Sequence, residues 1–244
     1  MKVFLSLIVS IFWVVNAFSQ QLVVHYESER ALSEARKAAI MQKNAAFAEV
    51  LELILNEKQR LRLSHSQGVS YYRAEEGSER RQVKTSDGIQ HHLPPKNPSP
   101  RVFKRLNQKQ LHYLFDRSAG SVYVWDDLPE PDWRIRADST REIAGYTCQY
   151  AEGKNLYGNP VQVWFAPDIP VSDGPEDLHG LPGLILEART RGLRIRVTKI
   201  TFPETLSVTL PETRLQAITL AEFREQQENL RKKKARMRSE VNEY

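Results

Sequence analysis

An acidic stretch with one histidine is the first place where this chain could do chemistry. Carboxylates beside an imidazole can bind a hard or borderline cation, or can work as an acid–base pair. The spacing contains neither His-x-x-x-His nor Asp-x-Asp-x-Asp, so a solvated loop is the alternative interpretation. We assign no catalytic residue and expect no cofactor, and we keep Asp173, Asp177 and His179 as candidate metal ligands. The full stretch comprises Asp168, Asp173, Glu176, Asp177, His179 and Glu187.

Two other groups of residues carry reactive side chains. His91 and His92, with His112, could bind a transition metal, but neighbouring residues of a strand point to opposite faces, so the adjacent pair cannot share one ion without distortion. Cys148 lies between Tyr146 and Tyr150 in a strand-like segment. A reactive thiolate needs a basic or helix-end setting, so we expect a small buried apolar residue there.

Recognised catalytic patterns do not occur in the chain. It contains no G-x-S-x-G, no H-E-x-x-H, no phosphate loop and no dinucleotide fingerprint. The sequence therefore gives no motif that would indicate a hydrolase, a metalloprotease or a nucleotide-dependent enzyme.

Aromatic and apolar residues offer a different kind of site. A curved sheet leaves an apolar concavity that can hold a lipid-like ligand or a peptide, or contact a membrane-protein partner. Packing in the core is the alternative role for most of these side chains. The candidate ligand-binding residues are Trp125, Trp133, Tyr146, Trp164, Leu181 and Pro182.

The first nineteen residues have the pattern of a cleaved export signal. One charge, Lys2, precedes an apolar stretch from Val3 to Val15, and Ala17-Phe18-Ser19 places small residues where a signal peptidase reads. The stretch is short for a membrane span, and no later segment offers a second candidate. We predict cleavage before Gln20 and a periplasmic or secreted protein that is not transmembrane, with an uncleaved anchor as the alternative.

Charge and cysteine content indicate how the chain is stabilised and which partners it can bind. The chain has a formal net charge of +5 and one cysteine, so no internal disulfide can form. The excess of positive charge lies in a tail that could meet an anionic envelope surface. We expect no nucleic-acid partner, because the tail has no interleaved aromatic residues. Its basic residues are Arg231, Lys232, Lys233, Lys234, Arg236 and Arg238.

Alternating apolar residues predict that most of the chain is strand. Val161–Phe165 and Leu193–Val197 alternate clearly, and Ala144, Tyr146, Cys148 and Tyr150 are expected on one face of a single strand. We predict a mainly β (α+β) fold: a curved antiparallel sheet or half-barrel with a helical segment near 30–50 and a C-terminal helix. The predicted boundaries are a signal peptide at 1–19, a β domain at 20–216 and a helix with its basic tail at 217–244.

Two local signals refine this prediction. Leu181-Pro182-Gly183-Leu184 matches a type II turn, with Pro182 at the second position and a positive φ expected for Gly183 at the third. Leu184 to Arg189 then has strand character. Thr219 followed three residues later by Glu222 predicts a capping box at the start of the C-terminal helix.

The string GLPGLI at 180–185 resembles the signature of the GLPGLI family of exported envelope proteins. The resemblance extends over about 120–225, through Trp133, the segment at 143–148, the segment at 164–171 and Gly174-Pro175. It implies secretion in a Gram-negative envelope and a mostly β domain, and it implies no agreed activity.

The function expected from these observations is that of a non-enzymatic binding or accessory protein. Its partner would be an apolar ligand, a peptide or an outer-membrane protein. The alternative is a hydrolase or a metal-dependent enzyme that uses the loop at 168–187.

Overall fold

The computed structural model describes residues 20–30, 34–43, 45–75, 81–85, 88–93, 100–116, 120–190, 192–210 and 212–241. Within these residues the protein is mainly β, as predicted, and twelve strands form one mixed sheet. The predicted signal peptide lies outside the described residues. None of the described helices combines the length and the apolarity that a membrane crossing requires.

The strands follow one another closely along the chain. A separate two-stranded hairpin is formed by β4 and β5. The strands are β1 Leu22–Arg30, β2 Gln59–Ser66, β3 Val69–Ala74, β4 Arg81–Lys84, β5 Gln90–Leu93, β6 Arg101–Arg105, β7 Gln110–Phe115, β8 Val122–Asp127, β9 Arg134–Ile143, β10 Tyr146–Lys154, β11 Pro160–Ala166, β12 Leu184–Arg189, β13 Leu193–Thr201 and β14 Ala217–Ile218.

The large sheet is open. Its strand order is β14-β8-β7-β6-β3-β2-β1-β13-β12-β11-β10-β9, so β14 and β9 form its two edges. All pairs are antiparallel except β14 with β8, which is parallel. The chain starts in the middle of the sheet, because β1 pairs with β2 on one side and with β13 on the other. The curvature expected from sequence stays a prediction.

The described residues contain three α-helices outside the sheet, α1 Glu34–Lys43, α2 Ala45–Leu55 and α3 Leu220–Val241, and a short 3-10 helix at Leu106–Gln108. The predicted capping box of α3 is confirmed. The Thr219 N–H donates to Glu222 Oε2 at 2.7 Å, and the Glu222 N–H donates to Thr219 Oγ1 at 3.2 Å. Asp126 accepts the N–H of Leu220 at 2.7 Å, which fixes the start of α3 against β8.

The core lies on the sheet face that the first turn of α3 covers. The fully buried Phe223 contacts the ring of Tyr113, with ring centroids 5.7 Å apart. Apolar residues at alternate positions of the central strands fill the rest of this face, as period-two alternation requires. They include Leu22, Val24, Tyr26, Leu61, Leu63, Tyr72, Val102, Leu111 and Val124.

Two local predictions were wrong. Ala144 does not share a strand face with Cys148, because Ala144 and Gly145 form a two-residue turn with φ of 54° and 82° between β9 and β10. The predicted type II turn is also absent, since φ at Gly183 lies outside the left-handed region. Gly183 is required for another reason: a Cβ there would lie 2.3 Å from the carbonyl oxygen of Ala166.

Candidate functional site

The segment between β11 and β12, residues 167–183, packs back onto the sheet as an ordered loop. The N–H of Leu184 donates to Ile169 O at 3.0 Å, and the N–H of Ile185 donates to Asp173 O at 2.9 Å. Leu184 and Leu186 are extended and fully buried in β12, as predicted. The loop therefore runs beside β12, and its turn at residues 173–179 lies against the sheet.

The side chain of Lys104 on β6 contacts this loop at several points. Its side chain is fully buried, and its Nζ lies 2.6 Å from Asp173 Oδ1. The same ammonium group lies within hydrogen-bond distance of three loop carbonyl oxygens, those of Gly174 (2.9 Å), Glu176 (2.9 Å) and Leu178 (3.2 Å). One lysine thus neutralises the buried carboxylate and shares its three N–H donors among four oxygens, three of which are backbone acceptors in an apolar interior.

Asp173 is saturated with partners. His65 Nδ1 lies 2.9 Å from its Oδ2, and the N–H of Gly174 donates to its Oδ1 at 2.8 Å. Burial alone would raise the pKa of Asp173, but the charge of Lys104 and the hydrogen bond from His65 outweigh burial and hold the pKa below its usual range. Asp173 is thus a structural anion, and its oxygens are already occupied.

The other titratable groups of the turn have pKa values shifted mainly by burial. Burial raises the pKa of Glu176 to about 8, and it also raises that of Asp177, although the N–H of Leu156 donates to Asp177 Oδ2 at 2.6 Å. Burial lowers the pKa of His179, so the imidazole is neutral at pH 7. Among the described residues, His, Cys, Asp and Glu side chains do not gather into a set that could hold a metal ion.

Two adjoining cavities open beside this turn. The larger has a volume of about 470 Å³ and the smaller about 330 Å³, and Leu128, Glu130 and His179 line both. The walls are largely apolar, and we call the two cavities together the 128–179 groove. Its apolar lining includes Pro129, Pro131, Trp133, Tyr157 and Leu178 in the larger cavity, and Leu106, Pro170 and Val171 in the smaller.

Strand ends and loops from distant parts of the chain position these walls. The N–H of Trp133 Nε1 donates to His179 O at 2.7 Å, which ties the segment before β9 to the loop. Arg224 on α3 donates to Leu156 O at 3.1 Å and thereby fixes the opposite wall. Charged side chains of both signs line the groove: Glu130, Asp132 and Asp177 are acidic, and Lys109, Lys154 and Arg224 are basic.

The structure separates the six predicted ligand-binding residues. Trp133 lines the larger cavity, and the other five line neither cavity of the groove. Trp125 is 55% exposed and stacks on His112, whereas Trp164 is half-buried beneath the guanidinium of Arg141. Tyr146 packs against the main core, Leu181 is buried in a second apolar cluster, and Pro182 is exposed.

The remaining candidates have structural settings. Cys148 is buried, and burial raises the pKa of its thiol to about 11, so a thiolate is disfavoured at pH 7. His112 Nδ1 hydrogen bonds with the hydroxyl of Tyr123 at 2.7 Å. His91 and His92 lie on β5, and their side chains are outside the described part of the chain.

The basic tail belongs to α3. Arg231, Lys232, Lys233 and Arg236 are exposed on this helix, and the side chains of Lys234 and Arg238 are outside the described residues.

Sequence reasoning missed Lys104, His65 and most of the groove. Lys104 stands in an Arg-Val-Phe-Lys-Arg strand, where an exposed lysine is the default expectation, and its partners lie about 70 positions further along the chain. The segment Leu128-Pro129-Glu130-Pro131-Asp132-Trp133 does carry a signal, because two prolines next to exposed acids mark an irregular surface segment. Its role as a wall depends on contacts that no local pattern contains.

Comparison with known proteins adds a family and a distant structural likeness. The model of a family described as a protein of unknown function (Porph_ging) matches residues 157–187, which include GLPGLI. That match is consistent with the expected GLPGLI-type family. No curated protein matches the chain.

Among solved structures, PNGF-II in its C2 and P21 space groups aligns with TM-scores of 0.49 and 0.48, at 14% and 15% identity. The alignments cover 78% of this chain and 29% of PNGF-II.

Proposed function

We propose that this protein binds an extended, largely apolar peptide segment in the 128–179 groove and catalyses no reaction on it. The observation that carries the proposal is the pair of adjoining cavities with shared Leu128, Glu130 and His179. Volumes of about 470 and 330 Å³ lie in the range of binding pockets. Two neighbouring cavities suit two alternate side chains of an extended peptide, which lie on the same side of its backbone.

The state of the loop acids supports binding rather than chemistry. Asp173 is held as an anion by Lys104 and His65 and faces the interior instead of the groove. His179 uses Nδ1 to hydrogen bond with its neighbouring carbonyl, that of Asp177, at 2.9 Å. The interpretation as a hydrolase at 168–187 needs an acid or base within reach of a nucleophile, and these contacts do not favour it.

Calorimetric titration with a designed peptide tests the proposal. Acetyl-Phe-Ala-Phe-amide offers two aromatic side chains for the two cavities, and acetyl-Ala-Ala-Ala-amide is the matched ligand control. Lys154→Trp should fill the larger cavity and Asn107→Trp the smaller, each from an exposed position. Each change should weaken binding of the phenylalanine peptide at least about tenfold, because one buried aromatic ring is lost from the complex.

The control variant is Glu204→Trp, which adds the same side chain at an exposed site outside the groove lining. It should leave the affinity unchanged, and all three variants should keep the melting temperature. Equal affinity for the two peptides, or equal loss in all three variants, would remove the peptide proposal. Native mass spectrometry of protein from its own envelope would then show whether a lipid or another small apolar molecule occupies the groove.

We also propose that the protein belongs to the GLPGLI type, is exported after cleavage before Gln20, and works at the cell envelope. An outer-membrane protein would supply the bound segment. The motif within the matched residues 157–187 supports the family, and the residue pattern at 1–19 supports export. The basic tail of α3 would face the anionic envelope surface. N-terminal sequencing of protein secreted by the native cell tests the cleavage site.

A further inference from the structure

A face of the sheet opposite the groove carries an ordered array of arginines. Ala151, Val163 and Ala188 point to the side of the second apolar cluster, together with Leu178 and Trp133. Their strand neighbours therefore point to the other side. Two neighbouring rows of side chains cross the sheet on that side. The first row contains Arg136, Tyr150, Trp164, Glu187, Arg196, Glu27 and Arg60. The second row contains Arg134, Glu152, Gln162, Arg189, Arg194 and Glu29. We call this surface the arginine face.

Glu187 organises the centre of the arginine face. It is 4% exposed, and guanidinium nitrogens of Arg141, Arg196 and Arg194 lie 2.7, 2.7 and 3.2 Å from its oxygens. These hydrogen bonds lower the pKa of Glu187 although burial opposes them, so it is ionised at pH 7. Arg194 also lies 3.5 Å from Glu29, so two carboxylates face three arginines, and each of these partly exposed guanidinium groups has more N–H donors than its carboxylate partners use. The arrangement is therefore a preorganised set of oxyanion-binding groups.

Each row of the face contains three basic and two acidic side chains, and Arg136 lies 3.6 Å from Glu152, so the excess is one positive charge per row. Arg134 and Arg189 are exposed at the border of the face. Four strand spacings separate Arg136 on β9 from Arg196 on β13, which corresponds to a distance of roughly 19 Å at about 4.8 Å per strand. A single small anion would use a fraction of this surface, whereas a polymer with repeated negative charges could contact its whole width.

Aromatic rings at the centre of the face favour one type of polymer. Tyr150 and Trp164 lie 5.2 Å apart and are half-buried, and the Arg141 guanidinium lies 4.3 Å over the Trp164 ring. Protruding apolar side chains anchor a protein in a lipid interface, but these rings are recessed among arginines. Recessed rings can contact the apolar faces of sugar rings, and arginines match carboxylate, sulfate or phosphate groups. We propose that the arginine face binds an acidic polysaccharide.

Biolayer interferometry with immobilised polygalacturonate tests the proposal, with dextran as the uncharged polymer. The double variant Arg134→Gln/Arg189→Gln leaves the three arginines around Glu187 in place. It should bind polygalacturonate at least about tenfold more weakly, since each removed charge contributes severalfold at an anionic surface. The matched control is Lys232→Gln/Lys233→Gln, which removes the same charge from the exposed tail and should change the affinity less than twofold.

Three results would overturn the proposal: equal binding to dextran, an unchanged affinity in the arginine variant, or a larger loss in the tail variant. Vesicles of phosphatidylglycerol provide the test of the competing lipid surface. If they bind more tightly than polygalacturonate and lose affinity in the arginine variant, the face is a membrane contact instead. The phenylalanine peptide should bind the arginine variant normally, so this result is independent of the groove.

Discussion

Lys104→Met removes the ammonium group beneath the loop while it keeps an unbranched side chain of similar length. Both members of the Lys104–Asp173 pair are completely buried, so solvent screening does not reduce their interaction. Breaking a buried pair by removing one partner typically costs about 3–5 kcal/mol, because the remaining charge stays uncompensated. Asp173 keeps His65 and the N–H of Gly174, but three loop carbonyl oxygens lose a donor. We expect a loss of about 3–5 kcal/mol in the free energy of unfolding.

Urea unfolding at pH 7, followed by far-ultraviolet circular dichroism, measures this loss. Lys109→Met is the matched control, because Lys109 forms an exposed ion pair with Glu130 and its loss should be undetectable. Adding Asp173→Asn to Lys104→Met should recover part of the stability, since the unpaired charge is then gone. A loss below about 1 kcal/mol for Lys104→Met, as for an exposed pair, would refute the reasoning. So would additive effects in the double variant.

The same pair determines a pH dependence. The folded-state pKa of Asp173 is lowered, so its contribution to stability is present above the unfolded-state pKa of about 3.9 and is lost as the pH falls through the folded-state pKa. Without Lys104 the pKa of Asp173 rises, and protonation can relieve the unpaired charge. The destabilisation by Lys104→Met should therefore be smaller at pH 4.5 than at pH 7.

Three further predictions concern single residues. Gly183→Ala should destabilise the protein by about 1–3 kcal/mol in urea unfolding, because its Cβ meets the backbone of Ala166, whereas Gly192→Ala, which has open space around it, should not. Glu187→Gln should lower the free energy of unfolding at pH 7 by about 1–3 kcal/mol, the range for hydrogen bonds to a charged group, and the difference should shrink as the pH falls toward the pKa of the carboxyl. Glu176 has a raised folded-state pKa of about 8, so the wild-type protein should lose stability as the pH rises from about 4.5 to 8. Glu176→Gln should remove that part of the loss, and parallel pH profiles for variant and wild type would contradict this prediction.

Sequence reasoning worked where one physical period extends over a whole element. Val161–Phe165 and Leu193–Val197 alternate because one face of each strand is buried, and both segments lie in strands of the sheet. It failed at Ala144-Gly145, where the alternation continues in the sequence although the chain reverses. Ala144 adopts φ of 54°, a conformation that a residue other than glycine rarely takes, so its identity gives no warning of the turn.

The groove could not be predicted because its parts come from distant segments. Its walls include residues 106–109, 128–133, 154–158, 170–172 and 177–180, and Arg224 closes one side from α3. Trp133, a candidate ligand-binding residue from the sequence, lines the larger cavity, and its role in binding stays a prediction. Which apolar residues form a wall and which fill the core depends on where the loop packs, and that position depends on the buried Lys104.

The segment Gly180-Leu181-Pro182-Gly183, which we call the Gly-Leu-Pro-Gly corner, positions the groove but supplies no catalytic side chain. Leu181 is buried in the second apolar cluster, and Gly183 lets the chain approach the carbonyl oxygen of Ala166, so the turn before it is held in one position. That position brings the loop carbonyls to Lys104 and places His179 O where Trp133 can donate to it. Replacing corner residues should therefore change stability and binding together. Filling the groove from Asn107 should change binding alone, and this difference separates a structural motif from the site that it positions.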